Sequence, residues 1–382
     1  MNYTKVKLHR GIKTGVLAVG AQSKSSFCFA KDHIAYLSDL GGDLDDFGNF
    51  KKFEKQIKSL QKKLKIKPDV IACDMHPEYL STRYAYDFAK SRKVKMEGIQ
   101  HHEAHIASCI ADNHIKGKLI GIAFDGTGFG TDGNIWGGEF FAGDIKGLKR
   151  AAYLKYIPMP GGEASIKEPW RMAFSYLYAT YGKSRIAQML NRSDKKKIDI
   201  LSQMIDKNIN SPLTSSMGRL FDAVSAIIGI CRIIKYEGEA AIKLENIIYG
   251  RRYSSNLTGI RRMQGENIYK FNYIDKDRIV IVDWRPVIKG IIKDLKDKVA
   301  KPEISLKFHN AICDMIRDVC KFLKKRYKIS KVCLTGGVFQ NKYLKIHAAS
   351  LLEKEGFEVY VHNKIPTHDA GIALGQAVLA GV

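Results

Sequence analysis

One rhythm of strands and helices runs through this sequence twice, and no other feature narrows the fold so far. Between residues 16 and 113 the apolar pattern reads as three short strands (16–20, 26–30, 33–37), a helix at 46–64 and a strand at 70–74. A helix at 79–92, a strand at 95–100 and a helix at 101–113 complete the unit. The pattern restarts at residue 118 with a strand, a glycine-rich turn and a second strand (118–125, 134–144), then a third strand at 150–157. It closes late in the chain with a strand at 330–335, a helix at 341–354, a strand at 357–362 and a helix from about 369. A long helical insertion separates the two halves of the second unit, from about 165 to 325, and carries a hairpin at 267–284 turning near Asp275–Asp277. Two such units predict an α/β fold of two related lobes, 1–115 and 116–382, around a cleft. Ligands of such sheets bind at the carboxyl ends of strands.

Bulk properties remove several classes of function. The 382 residues suffice for two lobes with a substantial core. No run approaches the roughly 18 apolar residues of a membrane span. The basic start, MNYTKVKLHRGIKTG, is followed by no apolar signal core, so a cytoplasmic protein is expected. Seven cysteines without a C-x-x-C pair predict reduced thiols and no zinc ribbon. The net charge of +24 permits a polyanionic partner such as tRNA. The lysine-rich helices at 50–67 and 193–207 read more simply as solvated faces, because the chain shows no basic stripe interleaved with aromatic residues.

The residues able to do chemistry cluster in a few places. His101 and His105 are four apart, hence on one face of a helix, where two imidazoles can chelate one cation. The zinc-protease pattern is excluded, because Glu103 lies between the histidines and faces elsewhere. Taken alone, the pair is as readily two ordinary helix residues. The stretch FDGTGFGTDGNIWGG follows, with Asp125 at a strand end and Thr127 and Gly128 in a loop whose amides could approach an anion. Gly336 and Gly337 end a strand and open a helix, a place suited to phosphate or ribose. By spacing, Asp369 reads only as a helix cap.

QHHEAHIAS (100–108), AFDGTGFGTDGNIWGGEF (123–140), TSSMGRLFDAVSAIIG (214–229), YEGEAAIKLE (236–245), LTGGVFQN (334–341) and HDAGIALGQAV (368–378) together resemble the carbamoyltransferase domain of HypF. DMHPEYLSTRYA (74–85), GGDL (41–44) and EPWRMA (168–173) extend the resemblance from about residue 15 to 380. It implies the two-lobed actin-like ATPase (ASKHA) fold. It makes His101, His105 and Asp369 metal ligands, with Asp125 a fourth, and overrides the capping role for Asp369. It implies a zinc or iron ion, with the ATP or AMP moiety of carbamoyl adenylate, and magnesium as a companion ion. The nucleotide would lie near Gly218, Asp222, Glu237, Gly336, Gly337 and Asn341. Lys24 and Arg83 are candidates for anionic contacts, and His76 for orienting the carbamoyl group.

The partners so implied are the C-terminal cysteine tail of HypE, as acceptor, and a YrdC-like synthase that makes the adenylate. That synthase would be a separate chain or a domain absent here, since the acylphosphatase, zinc-finger and YrdC-like modules of HypF have no counterpart in this sequence. Glu103 departs from the family's usual His and gives the H-x-E-x-H of tRNA-modifying relatives. A tRNA-directed or small-molecule carbamoyl-type transferase is therefore the competing expectation. A non-catalytic nucleotide-binding scaffold is a third, disfavoured by the retained ligand set.

Overall fold

The computed structural model describes residues 2–184, 186, 195–250 and 268–382. Two sheets form the two lobes. The first begins with β1 (Tyr3–Ala18) and β2 (Cys28–Ser38), and continues through α1 (Phe47–Leu64), β3 (Val70–Asp74), α2 (Leu80–Arg92) and β4 (Lys95–Ile99). Its strand order is β2-β1-β3-β4, with β1, β3 and β4 parallel. Helix α3 (His101–Asn113) follows.

Two long strands replace the three short ones predicted here. The sequence reading gives residues 3–15 no strand and only a basic start, but they alternate: Val6, Leu8 and Ile12 are buried while Lys5, Lys7 and Lys13 face out. That period of two is a half-buried strand. The break predicted near residue 31 is an irregularity inside β2, where Ile12 pairs with Asp32 and Asp32 takes φ 53°.

The second sheet is built from β5 (Leu119–Phe129), β6 (Ile135–Asp144), β7 (Gly147–Leu154) and two short strands, β8 (Ile157–Pro158) and β9 (Leu213–Thr214). The insertion supplies α4 (Ala164–Lys167), α5 (Pro169–Tyr181), α6 (Lys195–Asp206), α7 (Met217–Ile227) and α8 (Glu239–Tyr249). It also supplies β10 (Asn272–Lys276), β11 (Ile279–Asp283), α9 (Arg285–Lys296) and α10 (Lys301–Tyr327). The closing elements are β12 (Lys331–Thr335), α11 (Lys342–Lys354), β13 (Glu358–Val361) and α12 (Ile372–Ala380). The main path of this sheet runs β10-β11-β7-β6-β5-β12-β13. Residues 193–194 of the predicted basic helix and residue 267 of the predicted hairpin lie outside the described residues.

The insertion is not wholly helical. Its hairpin turns at Asp277 and Arg278, both at positive φ as a tight two-residue turn needs, one residue beyond the expected place. β11 then pairs parallel to β7 and widens the second sheet. The lobe's core gathers on α10, where Ile304, Phe308, Ile312, Ile316 and Leu323 recur at helical spacing and are buried.

Two close approaches put α3 between the lobes. A Cβ on Gly121 of β5 would come 2.5 Å from Ile106, so the helix lies almost on the second sheet. On its other side α12 crosses so tightly that a Cβ on Gly375 would fall 1.8 Å from the Ala104 carbonyl oxygen. Ile372, Ala373, Leu374 and Ala377 share one apolar cluster with Val16, Ala18 and Val70. The last helix therefore belongs by packing to the first lobe, and a boundary drawn at 116 separates it from the residues that bury it.

Candidate metal centre and substrate cleft

Ten of the thirteen α3 residues are buried, including both histidines of interest and His102. Gln100 caps the helix by accepting from the amides of His102 and Glu103, which fixes His101 as the first helical residue. His101 Nδ1 lies 2.7 Å from Asp74 Oδ2. Asp74 ends β3 and pairs in register with Ile99 of β4, so its carboxylate and the start of α3 share one edge of the first sheet. The other Asp74 oxygen accepts from the His76 amide, and Thr82 Oγ1 donates to its carbonyl. With Nδ1–H committed to that carboxylate, Nε2 is the end of His101 left to meet a ligand once its proton is displaced. Nε2 is buried and has no hydrogen-bond partner among the described residues.

That nitrogen faces three other donors. Asp125 Oδ2 stands 3.5 Å from His101 Nε2 and 2.9 Å from His105 Nε2. Asp369 Oδ1 stands 3.9 and 3.7 Å from the same two nitrogens. All four ligand atoms fall within 4.8 Å of one another. Donors bonded at about 2.0–2.1 Å to one tetrahedral ion stand about 3.3 Å apart, so the spacing and the mixed imidazole–carboxylate chemistry both fit a small divalent cation. Such a donor set suits zinc and iron equally.

Backbone geometry explains why the carboxylates converge. Asp125 sits at the irregularity of β5 between Phe124 and Gly128, which turns its side chain out of the strand. Its Oδ1 accepts from the Gly126 amide and its carbonyl accepts from Ser216 Oγ. Gly337 leaves room for it, since a Cβ there would lie 2.9 Å from Asp125 Oδ1. Asp369 opens a short 3-10 turn before α12, and its neighbour His368 is the capping residue.

Burial opposes charge on both imidazoles, yet Asp74 and Asp125 outweigh it for His101, and Asp125 and Asp369 for His105. Both stay protonated above the usual histidine range. Burial would raise the Asp125 carboxyl, but the two imidazoles hold it well below the usual carboxylate range. Left to themselves the groups form charged pairs, and a cation entering the cluster displaces those protons.

Asp125 and Asp369 also form one end of a cleft of about 900 Å³, whose walls include Lys24, Gly218, Asp222, Glu237, Gly337 and Asn341. Eight predicted site residues thus line one space. Lys24 Nζ bonds Glu237 Oε1 at 2.7 Å, joining the first lobe to the second across the cleft. Asn341 caps α11 through Leu344 and donates to His309 Nε2. His309 is buried and its Nδ1 bonds the Ser305 carbonyl; burial pulls its pKa down to about 4, so it stays neutral.

Other candidates lie elsewhere. Gly128 backs the histidines, where a Cβ would fall 2.4 Å from His102 and 2.8 Å from His101, and it does not line the cleft. Thr127 is likewise off the lining. Gly336 takes φ 95° with no room for a Cβ beside the Phe124 carbonyl, and the expected helix start is first a 3-10 turn, Gly337–Gln340. His76 stacks on Tyr79 with ring centroids 4.1 Å apart. Arg83 is exposed on α2 and does not line the cleft. The sequence reading missed Asp74, although a carboxylate at the end of an apolar strand was a legible signal. It also missed Arg219 and His309, which nothing in their spacing singles out.

A family model described as "Carbamoyltransferase, Kae1-like Domain, second subdomain" matches residues 121–376, and one described as "HypF Kae1-like domain" matches residues 12–112. The chain belongs to the HypF family. It is 34% identical to carbamoyltransferase HypF of Synechocystis sp., over 97% of this chain and 48% of that protein. A crystal structure titled as full-length HypF in the phosphate- and nucleotide-bound form is similar with a TM-score of 0.88 and 38% identity, covering 99% of this chain and 47% of that one. HypF of T. kodakarensis gives a TM-score of 0.84 at 27% identity, covering 99% and 49%. The chain spans about half the length of these HypF relatives. The expected two-lobed actin-like architecture is the one found. No helix among the described residues is long and apolar enough to cross a membrane.

Proposed function

We propose that this chain is a carbamoyltransferase of hydrogenase maturation, which moves a carbamoyl group from carbamoyl adenylate to the C-terminal cysteine of HypE. The observation that carries the reading is the buried His101–His105–Asp125–Asp369 cluster at the end of a cleft large enough for a nucleotide. The HypF structure described as phosphate- and nucleotide-bound supports placing the adenylate there.

A zinc or iron ion held by His101, His105, Asp125 and Asp369 would supply Lewis acidity toward the phosphate and carbamoyl oxygens. The chain's own residues do the rest. Asp74 keeps the proton of His101 on Nδ1 and its lone pair inward. Lys24, Glu237 and Asp222 border the nucleotide end, while Gly218 and Gly337 let backbone come close. The HypE thiolate adds to the carbamoyl carbon, the carbon–oxygen bond to phosphate breaks, and AMP leaves with the electron pair. AMP is a good leaving group and the nucleophile arrives ionised, so positioning and charge stabilisation dominate. His76 and Arg83 have no part in this scheme. The adenylate is expected from a YrdC-type synthase, and the setting is the cytoplasm.

The test supplies metal-loaded protein with carbamoyl phosphate, ATP, a YrdC-type synthase and HypE, and weighs the HypE tail. One carbamoyl adduct on the terminal cysteine, lost with His105→Ala, is expected. No adduct in the demonstrated presence of adenylate would overturn the HypE assignment and turn attention to tRNA and small-molecule acceptors.

A further inference from the structure

Among the described residues three cations line the cleft, Lys24, Arg219 and Lys342, and of these Arg219 is the buried one, at 7% exposure. It stands in the first turn of α7, which meets the β5 irregularity closely. A Cβ on Gly218 would fall 2.9 Å from Gly126 Cα, and one on Gly126 would stand 3.7 Å from Arg219 Nη2. The guanidinium therefore lies beside the residue that follows Asp125.

Its partner is Asp222, one turn along the helix, with Nη2 and Oδ2 2.8 Å apart. That pair is incomplete. Asp222 Oδ2 lies close to the guanidinium but off any hydrogen-bond line, and Arg219 Nε and Nη1 are buried with no acceptor among the described residues. Buried guanidinium donors are almost always satisfied. Arg219 lines the cleft, so an anion entering beside Gly126 would meet a guanidinium whose hydrogen-bonding capacity is not yet used.

We propose that Arg219 is the phosphate-binding cation of the cleft, held on Asp222 until the nucleotide phosphate arrives. The inference rests on the carbamoyl adenylate reading above. A guanidinium presents a planar fork that matches two phosphate oxygens, and its charge counts for more in a dry site than that of a half-exposed lysine. Lys24 is in any case engaged by Glu237. The reaction gives Arg219 its use. A singly charged thiolate and a singly charged adenylate become a neutral thiocarbamate and doubly charged AMP, so negative charge accumulates on the phosphate as the carbon–oxygen bond breaks. A fixed cation there favours that transfer.

The experiment titrates the metal-loaded protein with AMP and with adenosine, and follows the ratio of the two dissociation constants. The wild type is expected to prefer AMP, and Arg219→Gln to lose about tenfold of that preference, as a charge-assisted contact would. Arg219→Lys should recover part of it. Bound metal is measured in each variant and should not change. If Arg219→Gln does not fold, Arg219→Gln/Asp222→Asn is compared with Asp222→Asn, and the same loss in the ratio is expected. Equal weakening of both ligands would mean a structural role and overturn the proposal, as would an unchanged ratio. Failure of the wild type to bind either ligand would remove the adenylate reading itself, and this inference with it.

Discussion

The two ends of the cleft are built on different terms. At the metal end three of the four candidate ligands are placed by something else: Asp74 orients His101, the β5 irregularity turns Asp125, and Gln100 starts the helix that spaces the histidines. At the nucleotide end the contacts are fewer and wetter. The Lys24–Glu237 bond joins side chains that are 28% and 68% exposed, and Tyr236 on the rim is 53% exposed. The contrast teaches that the first end is held by buried contacts before any ligand arrives, while the rim of the second is tied only by an exposed ion pair. Pre-organisation of this kind lets a site stabilise charge without reorganising during the reaction.

The hardest blow to the prepared end is removal of a ligand. His105→Ala should abolish retained metal after dialysis and lower transfer on the order of a thousandfold, with the circular dichroism spectrum unchanged. Retained metal in a folded variant would break the contrast at its root. A subtler change sharpens it. Asp74→Asn keeps the shape but removes the charge that orients His101, and metal affinity should fall about 10- to 100-fold by competition with a chelator. Protons compete for the same nitrogens, and the raised pKa values of His101 and His105 extend that competition above the ordinary histidine range. Metal affinity should therefore rise with pH through and beyond that range, and Asp74→Asn should move the midpoint to lower pH.

The wall near Asn341 makes a stability prediction. His309 has a folded pKa of about 4, against an ordinary value of 6.5. The unfolded chain takes the proton first as pH falls. The contribution is therefore present above pH 6.5, and about 3 kcal/mol of it is lost between there and pH 4. Urea unfolding at several pH values measures it, and His309→Gln should flatten the slope. The smallest effect belongs to the mouth. Lys24→Ala should change stability by less than about 1 kcal/mol, because half-exposed ion pairs contribute little. Nucleotide association should nevertheless quicken, as one contact fewer must open. Stopped-flow rates equal to wild type would show that the bond is no barrier.

The α/β fold and the shared face of His101 and His105 were legible because both leave periodic marks: strands alternate and helices repeat. The sequence showed Asp125, Asp369 and the cleft wall only through family motifs, since those residues converge through sheet register and not through spacing. Asp74 and Ile99 are neighbours across a ladder, 25 positions apart in the chain, and no local pattern reveals that. The start of strand β1 was missed because its alternation, with Lys5 and Lys7 facing out and Val6 and Leu8 facing in, is interrupted by the outward His9 and Arg10 before Ile12 resumes it. Arg219 was hidden inside a helix whose arginine and aspartate look like any surface ion pair, and only burial makes that pair unusual.

Helix α12 threads back into the first lobe, and this has a bearing on how the protein comes into being. A ribosome makes His101 and His105 long before Asp369, and until residues 372–377 emerge the first sheet lacks part of its apolar cover. During synthesis the histidines therefore wait in a half-formed lobe without their last carboxylate. Until residue 369 emerges the cluster has at most three of its four candidate ligands, so the complete set is assembled only late in translation.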